Sequence, residues 1–339
     1  MLWLSICIPH YNRIHTLRNN LSMIFQATSN EFEVVVVDNC SEIDIRQELQ
    51  DIRDPRLRIV TRTEPVNAVK NLVNSIVFAK GKYSLLCIDK NYIVGNEIDH
   101  FIDFLKKYKD IFGGYCTFHR TEDEAVQCTK RKFKIYRKRA LLNFGYRFHH
   151  PTGMFFLTKI IKDIYPTLRN REIKNPFACD ILATECAAKG AMAIYDFPLW
   201  FAYRGLPEEN AKSYTYSKIN RNVYFLPQQR VKCFFEFCVH SQRLCVPDWV
   251  RNLVILRLYR AMLVQVTLGY RDTITNKAVC NHYHTEFRKS VTNHELWQYI
   301  KQFNRLFLQS EIVKPKFNRY FLCGIANFMF ICSKGKHLL

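Results

Sequence analysis

Four consecutive β-branched residues, Val34-Val35-Val36-Val37, stop abruptly at Asp38-Asn39, and no other segment constrains the fold as tightly. A run of valines without polar alternation suits a parallel strand covered on both faces, and ligands of such sheets gather at the strand C-termini. A second apolar strand lies upstream in SICIPHYNR, Ser5 to Arg13, and also ends in a polar turn. Between the two, residues 14–29 space Leu17, Leu21 and Ile24 as one helical face ahead of the polar Thr28-Ser29-Asn30. This is a β-α-β unit of ordinary length, whose right-handed crossover brings both strand ends to one edge. Leu57-Arg58-Ile59-Val60 reads as a third strand, Val69 to Ala79 as a second helix, and Tyr83 to Ile88 as a fourth strand closed by Asp89-Lys90-Asn91. Asp38 and Asp89 therefore converge where a nucleotide-binding α/β domain holds its ligand.

This layout resembles the GT-A fold of family 2 glycosyltransferases of the bacterial surface-polysaccharide type. Such enzymes transfer a sugar from a nucleotide diphosphate sugar with inversion. The matching residues are Pro9, Tyr11, Asn12, Arg13, Asp38, Asn39 and Ser41, with Asn71 in a helix-borne asparagine position and Ala79-Lys80-Gly81-Lys82-Tyr83 before the fourth strand. The resemblance implies a Rossmann-like mixed, mainly parallel α/β sheet flanked by helices. It assigns the donor to Pro9, Tyr11, Asn12, Arg13, Asp38, Asn39, Ser41, Asn71 and Lys90, with Asp38 receiving the base N–H. A divalent cation, Mn or Mg, falls to Asp89 and Asn91. Two positions depart from the pattern. Asn67 stands where the family has glycine, and asparagine is the side chain that best tolerates positive φ. Asn91 stands where the family has a carboxylate, so the metal is expected to be weak or dispensable, with the Lys90 ammonium in its place.

On the acceptor side, His149-His150-Pro151-Thr152-Gly153 leads into Met154-Phe155-Phe156, and Gly153 allows close backbone approach. Asn175 to Asp180 precedes a helical run from Ile181 to Lys189, closed by Gly190. The resemblance implies a general base at the start of that helix, which is Asp180, with Glu185 the substitute on the same helix. A helix cap is the competing role for Asp180. Ala193-Ile194-Tyr195 and Pro198 to Arg204 read as the closing strands.

A chain of 339 residues holds one such domain of about two hundred residues and a smaller appendage. The boundary is expected near Gly205, giving a glycosyltransferase domain over 1–205 and a basic, aromatic-rich helical extension over 206–339, joined by Pro207-Glu208-Glu209-Asn210. Val250 to Leu268 is its clearest helix. The 13 cysteines are scattered, odd in number and free of any C-x-x-C pair, which suits reduced cytosolic thiols. Cys233, Cys238, His240 and Cys245 match no zinc spacing, and the phenylalanines among them read as a packed helix.

The net charge of +20 requires a partner. No nucleic-acid module is recognisable, so specific nucleic-acid binding is not expected. An anionic membrane surface presenting a lipid-linked glycan acceptor accounts for the charge and the aromatics together. No cleavable leader and no run of about twenty apolar residues stand out. The longest apolar stretch, Tyr320 to Cys332, is broken by Gly324 and Asn327 and suits either an interfacial or a buried helix. The expectation is a cytoplasmic enzyme, peripheral on the inner face of the membrane. A non-catalytic GT-A-like binding protein is the alternative.

Overall fold

The computed structural model describes residues 1–119, 132–147, 149–173, 175–202, 206, 208–209, 224–283 and 285–333. The chain divides into two compact units, Met1–Ser217 and Lys218–Leu339. Tyr203, Arg204, Gly205, Pro207 and Asn210, from the expected closing strand, boundary and linker, lie outside the described residues.

The first unit is built on a nine-stranded mixed sheet. Strands β1 (Leu4–His10), β2 (Phe32–Asp38), β3 (Leu57–Thr61) and β4 (Tyr83–Leu86) are mutually parallel in the order β3-β2-β1-β4. The pairing of His10 with Asp38 and of Asp38 with Thr61 aligns the C-termini of β1, β2 and β3. All seven residues of β2 are buried, as an all-valine parallel strand requires. Helices α1 (Ile14–Ile24) and α3 (Ala68–Val77) supply the crossovers, and a single turn, α2 (Ile45–Glu48), lies between β2 and β3. Leu17, Leu21 and Ile24 of α1 are fully buried, so the apolar face read from their spacing is the core face.

The sheet continues through β8 (Met154–Leu157), antiparallel to β4, then β6 (Ile111–His119) and β9 (Ala191–Ala202), with β6 and β9 parallel. The expected pair of closing strands is a single strand, β9. Its register against β6 shifts between Cys116 and Phe118, which lets one strand accommodate Pro198. Both β5 (Asn91–Ile93) and β7 (Lys132–Tyr136) pair antiparallel with β9. The fourth strand is shorter than expected, because the chain leaves the ladder at Leu86, turns through Asp89-Lys90 and re-enters the sheet as β5. Helix α4 (Gly95–Lys107) packs on this half, with Phe101 in edge contact with Phe155 and Tyr195. The short α5 (Ala140–Phe144), α6 (Thr158–Ile164) and α7 (Asn170–Ile173) lead to α8 (Ala178–Lys189), which packs against β6, β8 and β9.

The second unit is helical: α9 (Pro227–Ser241), α10 (Asp248–Val264), α11 (Tyr270–Ile274), α12 (Lys277–His282), α13 (Asn293–Gln309) and α14 (Lys316–Ser333). Cys233, Phe234, Phe237 and Cys238 are buried together on α9. Phe234, Tyr259, Phe303 and Phe307 form its aromatic centre. A π-helical turn, Gln265–Gly269, joins α10 to α11, so the helix expected to end at Leu268 runs on to Ile274. The continuous helix Asp248–Ile274 has 27 residues, and its most apolar 18-residue window has a mean hydropathy of 1.3, enough by length and composition alone to cross a membrane. Half of its most apolar window is buried inside the protein, and Val254, Ile255, Leu258, Tyr259, Met262 and Leu263 form core contacts. It is the central helix of this unit.

Candidate active site

Three turns meet at the C-terminal ends of β1, β2 and β4. After β1, Asn12 takes φ 55°, a left-handed conformation that asparagine tolerates. Its backbone N–H donates to Ser41 Oγ at 2.9 Å, and its Oδ1 accepts the Glu42 N–H at 2.8 Å. After β2, Asp38 accepts the Ser41 N–H at 3.1 Å and its hydroxyl at 2.5 Å. Burial pushes the Asp38 carboxyl above its ordinary range, against the hydrogen bonds from Ser41. The Asn39 side chain exchanges two bonds with the Val66 backbone, at 2.8 and 2.9 Å, and fixes the chain entering α3. Asn12, Asp38, Asn39 and Ser41 thus form one interlocked cradle.

Asn71, expected to contact the donor, bonds within the protein instead. Its Nδ2 donates to Val37 O at 2.9 Å and its Oδ1 accepts Arg62 Nε at 2.8 Å, pinning α3 to β2. Asn67 has φ −55°, so the positive φ expected there is absent. It caps α3 by accepting the Val69 N–H at 2.9 Å.

The turn after β4 carries charge. Asp89 Oδ2 accepts the Tyr11 N–H at 3.1 Å, and Arg13 Nε lies 3.5 Å from Oδ1. Burial raises the Asp89 pKa to about 6, with Arg13 and Lys90 pulling it back. Burial also lowers the Lys90 pKa, and the Arg13 guanidinium adds to that effect. Two cations therefore share one carboxylate. His10, absent from the expected site, lies 3.9 Å from Asp89 through Nδ1. Desolvation, aided by Arg13, drops the His10 pKa to about 3. Pro9 precedes it as the penultimate residue of β1.

The donor set does not fit a tight divalent cation. Such ions favour several hard anionic oxygens, and here one carboxylate already accepts an N–H and faces a guanidinium. Asn91 is 1% exposed, and its Nδ2 donates to Thr152 Oγ1 at 2.6 Å. Among the described residues no group of three or more His, Cys, Asp or Glu is arranged to hold a metal.

Thr152 also accepts the Ile88 N–H at 2.9 Å, which ties the 149–153 turn to the end of β4. Gly153 adopts φ 89°, and a Cβ there would stand 2.2 Å from Trp200 Nε1, so the close approach expected of this glycine is present. His150 stacks on Trp200 at 5.4 Å, and burial lowers its pKa to about 4, with Lys90 contributing. His149 stacks on Tyr115 at 4.9 Å.

Asp180 is the third residue of α8, within its first turn, and Phe177 occupies the cap position. The capping role is therefore excluded. Asp180 Oδ1 accepts the Arg147 N–H at 3.0 Å and the His149 N–H at 3.4 Å, and lies 3.6 Å from His149 Nδ1. The Asp180 side chain is 1% exposed whereas that of His149 is 25% exposed. Glu185 lies five residues further along α8, about 140° around the helix from Asp180 at 100° per residue.

Among the described residues, buried polar atoms without a protein partner occur in both halves of the site. Near the donor turns they are nitrogens: both ring nitrogens of His10, Asn12 Nδ2 and one Arg62 Nη. On the acceptor side they are Asp180 Oδ2 and His149 Nδ1. Buried polar groups are almost always paired, so such atoms mark places where a ligand or water completes the structure. Nothing in the local sequence of His10, Arg62 or Thr152 announced these roles. Glu209 was also unforeseen: it accepts the His15 N–H at 2.8 Å and bonds to the Thr16 hydroxyl, capping α1 from nearly two hundred residues away.

Residues 5–165 match glycosyl transferase family 2. A UDP-glucose:α-D-GlcNAc-diphosphoundecaprenol β-1,3-glucosyltransferase of Escherichia coli is 22% identical over 177 residues, 47% of this chain and 70% of that protein. The solved structure of S. aureus TarS residues 1–349 superposes with a TM-score of 0.57 at 15% identity, covering 97% of this chain and 88% of that one. The same TarS fragment with UDP-GlcNAc gives a TM-score of 0.55. These structures share the fold.

Proposed function

We propose that this chain, whose residues 5–165 match glycosyl transferase family 2, is a nucleotide-sugar glycosyltransferase that transfers one sugar with inversion to a lipid-linked glycan. The observation that carries this reading is the set of unpartnered atoms at the strand ends. Asn12 Nδ2 and the single N–H of the neutral His10 ring join the cations Arg13 and Lys90 around the turns after β1 and β4, where an oxygen-rich diphosphate has its complement. Asp38 receives the base N–H within the cradle of Asn12, Asn39 and Ser41. Pro9 and Tyr11 shape the same turn, and Asn71 holds α3 behind it. Arg13 and Lys90 stabilise charge on the departing diphosphate, a task that a preorganised cation performs without reorganisation.

Inversion requires one base opposite the leaving group. The assignment to Asp180 extends to His149, which has the accessible ring that Asp180 lacks. The acceptor hydroxyl gives its proton to the outer nitrogen of His149 as its oxygen attacks the anomeric carbon and the C–O bond to the diphosphate breaks. Asp180, with Oδ1 3.6 Å from the inner nitrogen, offsets the charge that forms on the ring. Asp180 is thus a positioning residue.

The lipid-linked acceptor is supported by the E. coli relative, named for a diphosphoundecaprenol acceptor, and by the charge of +20. Peripheral contact with an anionic membrane on the cytoplasmic side follows from the same reading. The test is a thermal-shift screen of nucleotide sugars followed by transfer to a diphospholipid-linked GlcNAc. UDP-glucose and UDP-GlcNAc come first because relatives are named with them. A donor at a hundredfold over its Kd stabilises by about 2.7 kcal/mol. No shift with any nucleotide sugar, in a folded preparation, would overturn the reading.

A further inference from the structure

Helix α14 is apolar on two opposite faces. One face, Leu322, Cys323, Ala326 and Phe330, is buried in the second unit. The other carries Phe317, Tyr320, Phe321 and Phe328, which are 72%, 52%, 55% and 68% exposed. These residues, with Gly324, follow the helical period as i, i+3, i+4, i+7 and i+11. A Cβ at Gly324 would meet nothing within 4 Å, so the stripe is open along its whole length. The Phe317 and Phe321 rings lie nearly parallel, 6.2 Å apart. Soluble surfaces scatter single apolar side chains, whereas a continuous aromatic stripe marks an interaction site.

Charge identifies the occupant. After Glu311 the chain carries five Lys and Arg and no Asp or Glu. From Lys218 onward it carries 19 Lys and Arg against 6 Asp and Glu, so 13 of the 20 net positive charges belong to the second unit. Lys314 and Lys316 are exposed at the start of the stripe, and Lys316 Nζ lies 5.9 Å from the Tyr320 ring centroid. A second copy of the chain apposed here would bring like charges together. An anionic lipid surface receives the rings among its acyl chains and the lysines among its headgroups.

We propose that the exposed face of α14, Phe317, Tyr320, Phe321 and Phe328 with Lys314 and Lys316, seats the enzyme on an anionic membrane. The helix lies in the interfacial plane with its buried face still packed on the second unit. This inference rests on the proposed lipid-linked acceptor, because an enzyme seated there works where that acceptor is anchored.

The test is co-sedimentation of the full chain with vesicles of phosphatidylcholine alone or with one third phosphatidylglycerol. Wild type is expected to bind the anionic vesicles, and added salt to weaken binding. Phe317→Ser with Phe321→Ser and Phe328→Ser should lower the partition coefficient at least tenfold, and Lys314→Glu with Lys316→Glu should lower it severalfold. Both variants replace exposed side chains, so their melting temperatures and their transfer to a short water-soluble acceptor should stay at the wild-type level. Equal partitioning of wild type and both variants would overturn the proposal. So would a wild-type dimer in sedimentation velocity that the serine variant dissociates, which would make the stripe a self-association face. Vesicle binding without transfer to any lipid-linked acceptor would leave the docking face standing and remove the acceptor reading.

Discussion

At the ends of β1 and β2, the carboxylate of Asp38 and the amides of Asn12 and Asn39 are bonded to neighbouring turns, and the atoms left over are nitrogens of His10, Asn12 and Arg62. Beside β6 and β8 the remainder differs: Asp180 Oδ2 and His149 Nδ1 are buried without a partner. The first arrangement complements an electron-rich ligand such as a diphosphate. The second complements a group that gives up a proton. One sheet thus carries two sites of opposite chemistry, joined where Thr152 bonds to both Ile88 and Asn91.

Substitutions that remove one side and spare the other break this comparison most sharply. Asp180→Asn should lower turnover by about 10²–10⁴, the usual contribution of general-base catalysis, because the amide no longer offsets charge on His149. Nucleotide affinity should be unchanged in calorimetry. His149→Gln should lower turnover at least as far, again without change in nucleotide affinity. Near-normal turnover in His149→Gln, with Asp180→Asn still impaired, would return the base to Asp180 alone.

The donor side should announce itself in stability. The native state keeps His10 neutral down to about pH 3, whereas an ordinary histidine takes its proton at 6.5, so stability falls as pH falls through that window. Asp89 acts in the opposite sense. Its native pKa of about 6 exceeds the ordinary 3.8, so stability falls as pH rises from 3.8 to about 6. In Asp89→Asn the acid loss from His10 should stand unopposed, on the order of 3 kcal/mol between about pH 6.5 and pH 4. Chemical denaturation across pH measures it. An unchanged pH dependence would contradict the burial of both groups.

Asn91→Asp probes the seam between the two sides with the smallest effect. Wild-type activity should change less than about twofold in chelator, since the residues around Asp89 do not suit a tight cation. The aspartate variant should acquire metal dependence. Wild-type activity abolished by chelator and restored by manganese would reject the assignment of diphosphate charge to Arg13 and Lys90.

The parallel half was legible because its physics is local: Val34 to Val37 can be only a doubly covered strand, and Asp38 can only end it. The acceptor half was less so. Its strands pair across long separations, as in Lys132 with Asp196, and two apparent strands merged into β9 through a register shift that no local pattern records. Asp180 resembled a helix cap because the helix start was read three residues late. Asn71 illustrates the converse: its position was foreseen, but whether an asparagine contacts a ligand or pins a helix depends on Val37 and Arg62, which the spacing cannot place. Glu209 capping α1 is a tertiary contact of the same kind.

The most direct test compares Asp38→Asn with His149→Gln in parallel, by single-turnover rates across a donor titration. The two variants should cross. Asp38→Asn should need about 10–100 times more donor, the cost of one charge-assisted hydrogen bond at roughly 1.5–3 kcal/mol, and reach a near-wild-type rate at saturation. His149→Gln should saturate at the wild-type donor concentration and turn over at least a hundredfold more slowly. If both variants lost donor affinity and saturated rate to the same extent, the division of the sheet into a diphosphate side and a proton-accepting side would be contradicted.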